Sequence, residues 1–142
     1  MAKIFSSKGI WDNGIFLIRI VTAFFIYRHS RELFNIHDLI SFLTDTKFPF
    51  PVFSGYAAKI IEFGGAILLA LGLFTRFVTP LLIIVMGGVI YTINGGSIFD
   101  GEHPFLFALL FAVFFFIGPG KWSLDYLFFD KNRESDTLLK KL

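Results

Sequence analysis

Apolar positions in this chain come in long runs separated by short polar stops. The first run, Gly14 to Phe34, is 21 residues, about 31 Å as a helix and enough to cross a bilayer. It is too long for a signal-peptide core and no small-residue cleavage site follows, so it reads as a retained helix. The second and third runs, Tyr56 to Phe74 and Phe77 to Asn94, are divided only by Thr75-Arg76 and predict an antiparallel pair. Pro80 falls in the first turn of the third helix on this reading, where a missing N–H costs little. The fourth run, Pro104 to Ile117, is 14 residues, about 21 Å and short of the hydrocarbon thickness. Gly118-Pro119-Gly120 stops it. Between the first two runs, Ile36, Leu39, Ile40, Phe42 and Leu43 recur near helical spacing and predict a segment lying over the outer end as a lid. Ser123 to Phe129 reads as a short inner interfacial helix with Ser123 as its cap.

The pattern therefore predicts an all-α, polytopic membrane protein: a four-transmembrane-helix bundle with an outer interfacial loop and a short inner interfacial helix. Residues 1–130 form one domain, with spans near 14–34, 56–74, 77–94 and 104–117, and 131–142 form a polar tail. Composition agrees, since a chain of 142 residues that is 55% hydrophobic, 17% charged and carries 21 Phe exceeds what a small soluble core can bury. Charge fixes the expected orientation. Lys3, Lys8, Arg76, Lys121, Lys131, Arg133, Lys140 and Lys141 fall on one side and Lys47 alone on the other, which places both termini in the cytoplasm. Trp11, Trp122 and Tyr126 then mark the inner interface. There is no Cys, which excludes disulfides, Cys-ligated zinc, iron–sulfur centres and an internal dithiol relay. A net charge of +2 gives no reason to invoke nucleic acid.

Ionisable residues within spans are costly and point to function when partners can be named. Arg28, His29, Arg31 and Glu32 share an arc of about 160° at the outer end of the first helix. On the second, Ala58, Glu62, Gly65, Leu69 and Gly72 form a stripe whose small residues mark close helix packing, turning Glu62 inward. Gly87, Tyr91 and Asn94 share a face of the third helix, and the short fourth helix draws Glu102 and His103 to the same interface. His29, Glu62 and Arg28 are thus the candidate catalytic group, with Tyr91, Asn94, Glu102 and His103 as ligand-binding residues. The alternative is structural: Arg28 with Glu32 and Lys59 with Glu62 neutralise each other while the long cations reach the headgroups. Arg19, buried near the inner interface, needs an anion, and Asp125 is the expected partner in a structural ion pair. Haem would need two His facing across the core, whereas His29 and His103 lie near one interface and His37 is in the loop. A metal site from His29, Glu62 and His103 has no local spacing signature.

The order Leu17-Ile18-Arg19, His29, Glu62-Phe63-Gly64-Gly65, Leu71-Gly72-Leu73-Phe74-Thr75-Arg76 and Gly118-Pro119-Gly120-Lys121-Trp122-Ser123-Leu124-Asp125 resembles the DoxX family of small four-helix membrane proteins, from about Gly14 to Phe129. The resemblance implies a bacterial-type cytoplasmic (inner) membrane and kinship with DoxD, the membrane subunit of a thiosulfate:quinone oxidoreductase. It therefore implies a quinone-linked redox subunit with quinone as bound ligand, membrane lipid as surroundings and a redox partner protein as electron donor. A non-catalytic membrane subunit or small-solute carrier is the other reading. One departure is Arg28-His29-Ser30-Arg31, more basic than the His-Gly pattern common in the family.

Overall fold

The computed structural model describes residues 7–31, 35–93, 97 and 102–130. Glu32, Asn94 and the tail 131–142 lie outside them. The described residues form five α-helices, α1 (Ser7–Ser30), α2 (Ile36–Asp45), α3 (Pro51–Leu71), α4 (Thr75–Ile93) and α5 (Glu102–Ile117), followed by a π-helical turn, Tyr126–Asp130. Two stretches, Pro51–Leu71 and Thr75–Thr92, are long and apolar enough to cross a membrane, and α5 is a shorter apolar helix. Each run predicted from the pattern is found as a helix, with shifted ends. α1 starts earlier than Gly14 and gives way at Arg31 to a tighter turn. α3 starts at Pro51 because proline suits the first helical turn. α4 starts at Thr75, so Pro80 lies inside it and deprives the Arg76 carbonyl of its usual donor.

Helix α3 is the hub, packing against α1, α2 and α4, while α5 packs on α4 and only lightly on α1. The core comprises Ala23 and Ile26 of α1, Ala66 and Leu69 of α3, Val78, Leu82, Val85 and Met86 of α4, and Phe111 and Phe114 of α5. Glu62, Gly65, Leu69 and Gly72 of the small-residue stripe are all buried. At Gly65 a Cβ would stand 3.0 Å from a Leu82 methyl, so α3 and α4 touch almost backbone to side chain. The segment expected to lie over the bundle is α2, with Ile36 and Leu43 buried and His37, Asp38, Ser41 and Asp45 exposed.

The α3–α4 turn is a Schellman closure. Gly72 adopts φ +63°, its N–H reaches Leu69 O at 3.1 Å, and the Leu73 N–H reaches Leu68 O at 2.9 Å. Asp125, distant in sequence, then caps α4. Its carboxylate accepts from the Phe74 N–H at 2.7 Å and the Thr75 N–H at 2.9 Å, and its own N–H donates to Gly72 O at 2.9 Å. The expected Arg19–Asp125 pair is found as an electrostatic attraction and not as a direct contact. Arg19 is 1% exposed, but its guanidinium donates to the carbonyls of Pro119, Trp122 (2.6 Å) and Ala70 (3.5 Å). The Gly118–Gly120 turn, with both glycines at positive φ, leaves carbonyls with no helical donor, and a planar fork of N–H groups satisfies several at once. Asp125 meanwhile sits where the positive end of α4 attracts it. The two residues fasten the same segment from two sides without bonding to each other. Ser123 does cap the chain that follows, accepting from the Tyr126 N–H at 3.2 Å.

Candidate functional site

The second charged cluster lies at the other end of the molecule, the end of the α2 lid and Lys47. Lys59 and Glu62 are on adjacent turns of α3, 3% and 1% exposed, with Lys59 Nζ 2.8 Å from Glu62 Oε2. Two charges this deep lose several kcal/mol of hydration each, on the order of what their mutual attraction returns. The pair borders a cavity of about 290 Å³ roofed by Leu39, Phe42 and Leu43 of α2 and by Phe48, and walled by Phe53, Ser54, Ala57, Ala58 and Ile61 of α3 and by Ile84, Val85, Gly88, Val89 and Thr92 of α4. The lining is largely apolar and aromatic, with its charge gathered on one turn of α3. Its hydroxyls already serve the backbone: Ser54 Oγ donates to Pro49 O and Thr92 Oγ1 to Gly88 O, each at 2.8 Å.

The structure brings together fewer of the candidate residues than depth alone suggested. Arg28 and His29 are exposed on the last turn of α1, and neither lines the cavity. The reason is helical phase. The Phe63 ring meets Tyr27 of α1 with centroids 5.8 Å apart, whereas Glu62, about 100° round the helix, turns to the cavity shared with α2 and α4. Tyr91 is 68% exposed and meets the Phe48 ring edge-on at 6.5 Å, so the lining residue on that turn is its neighbour Thr92. Glu102 and His103 are exposed at the start of α5. Asn94 lies outside the described residues. Among the described residues no group of three or more His, Asp or Glu is placed to hold a metal ion.

Lys59 is the site residue that sequence reasoning underrated. A lysine near a helix start reads as a cation reaching for water, but α2 folds over that end of α3 and closes the route. The α2 side chains Ile40 and Leu43 lie against α3 at Gly55, four residues earlier, where a Cβ would meet them at 3.4 and 3.5 Å, ordinary packing distances. Chemically, the cavity offers an ammonium to hydrogen-bond a carbonyl and a carboxyl to carry a proton, beside a largely apolar and aromatic lining.

A family model described as DoxX matches residues 14–95, which includes every residue lining this cavity. A Haemophilus influenzae (strain ATCC 51907 / DSM 11121 / KW20 / Rd) protein, described as an uncharacterized protein, is 33% identical over 131 residues, covering 80% of this chain and 90% of its own. No solved structure matches the chain.

Proposed function

The chain belongs to the DoxX family of membrane proteins, and on that premise we propose that it is the quinone-binding membrane subunit of an oxidoreductase complex. In this reading α1, α3, α4 and α5 cross the cytoplasmic membrane, both termini are cytoplasmic, and the α2 end faces outward. The observation that carries the reading is the α2-roofed cavity with a buried cation and carboxylate at its wall. Phe42, Phe48 and Phe53 of the lining would hold the ring of a quinone, which would accept electrons and protons there. Lys59 donates a hydrogen bond to one carbonyl, and Glu62 passes protons to the oxygens as they gain negative charge. Two electrons from the reduced cofactor of a partner protein, with two protons, convert quinone to quinol. Arg28, His29, Glu102 and His103, exposed at the same end, form the surface from which Glu62 is reprotonated.

A second reading has one observation in its favour: Lys59 and Glu62 neutralise each other at 2.8 Å, as a purely structural pair does in a non-catalytic subunit or solute carrier. Replacing both residues separates the two. Removing one partner of a buried pair costs about 3–5 kcal/mol, whereas replacing both with apolar side chains is often neutral or stabilising. Lys59→Met with Glu62→Met is expected to fold as well as the parent in detergent and to lose quinone reduction in membranes. Undiminished reduction by that double variant would favour the structural reading.

A further inference from the structure

A cavity larger than the α2-roofed one has no part in that scheme. About 570 Å³ in volume, it opens at the Arg76 end between Asp12 of α1, the α3–α4 turn with Phe74, Arg76 and Phe77, and the segment after α5 from Ile117 to Lys121, with Asp125 and Tyr126 behind. Two cations and two carboxylates line it, and the carboxylates are engaged. Asp125 holds the first amides of α4. Asp12 stands 3.5 Å from Lys121 Nζ, a loose contact that leaves the lysine side chain 59% exposed. Arg76 is exposed and enters no ion pair among the described residues. It lies beside Gly118, where an added Cβ would stand 3.9 Å from Arg76 Nη2, and both residues line the cleft. The rim is apolar and outward-facing: Phe77 is 79% exposed, with Phe74 and Ile117 about half exposed.

A soluble anion would use the cations and leave that rim wet. A phospholipid uses both, with its phosphate on the cations and its acyl chains along the aromatic and aliphatic wall, and basic pockets between membrane helices are the usual seats of anionic headgroups. We propose that this cleft binds the phosphodiester headgroup of an anionic phospholipid, with Arg76 and Lys121 on the phosphate and Phe77 and Ile117 against the chains. The lipid then sits against the segment fastened by Arg19 and Asp125, and stabilises the joint between α3, α4 and the chain after α5.

The test is native mass spectrometry and thermal unfolding of the purified full-length chain in neutral detergent, titrated separately with phosphatidylglycerol, phosphatidylcholine and inorganic phosphate. Phosphatidylglycerol is expected to bind and to raise the unfolding temperature more than phosphatidylcholine, whose choline cation offsets the attraction of its phosphate to Arg76 and Lys121, while inorganic phosphate, without acyl chains, does neither. Arg76→Gln and Lys121→Gln each weaken phosphatidylglycerol binding about fivefold. Lys121→Arg retains it, and Lys47→Gln at the opposite end leaves it unchanged. Equal stabilisation by phosphatidylcholine, a full shift from inorganic phosphate alone, or parental binding by both glutamine variants would overturn the proposal. Should Arg76→Gln fail to fold, the comparison of Lys121→Gln with Lys121→Arg carries the same decision.

Discussion

Two glycines show how differently one residue type is used here. Gly72 has φ +63°, and a Cβ on it would lie 2.5 Å from both Arg19 Nη1 and Ser123 Cβ. Left-handed backbone costs a side-chain-bearing residue about 1–2 kcal/mol, and displacing the buried guanidinium from its carbonyls adds about 1–3 kcal/mol for each group left unsatisfied. Gly72→Ala is therefore expected to lower stability by about 3 kcal/mol or more, measured by thermal unfolding in detergent. Gly87, inside α4 with nothing within 4 Å of its Cβ position, predicts the opposite sign. Gly87→Ala should be neutral or stabilising by up to about 1 kcal/mol. At the ion pair, each single change, Lys59→Met or Glu62→Met, should destabilise strongly while the double change does not.

Among the elements, α4 depends on a residue that lies far from it in sequence. Asp125→Ala removes the acceptors of two first-turn amides and should cost about 1–2 kcal/mol, with Asp125→Asn costing less because it keeps one acceptor. Arg19→Gln and Asp125→Asn act on one segment, so their combined cost should differ from the sum by about 0.5 kcal/mol or more in a double-mutant cycle. The helices were legible in the sequence because apolar runs and breakers are local signals. The spacing of Ile36, Leu39, Ile40 and Leu43 gave α2 its buried side, and the small residues beside Glu62 gave α3 its packed face. The neighbours of those faces were not legible. Residue count fixes depth and phase on one helix but not which helix stands opposite, so His29 and Glu62, similar in depth, belong to different faces of the assembly. Arg19 was read as needing a carboxylate because carbonyls exposed by a distant glycine turn leave no mark in the pattern.

The two ends of the molecule are expected to do different work: a lidded aromatic cavity at the Lys47 end and a lipid-holding joint at the Arg76 end. The basic residues should keep the second end cytoplasmic, so a reporter fused after Leu142 should be active only when the reporter works inside the cell. The most direct test of the central claim is the quinone content of the purified protein, read by extraction and chromatography, in two neighbouring variants. Gly88 lines the cavity and has nothing within 4 Å of its Cβ position, so Gly88→Leu directs a side chain into the space from an unobstructed Cβ. Gly87→Leu adds the same side chain at an exposed position outside it. The parent and Gly87→Leu are expected to carry bound quinone while Gly88→Leu carries little or none. Equal quinone in all three, or none in the parent, would contradict the claim.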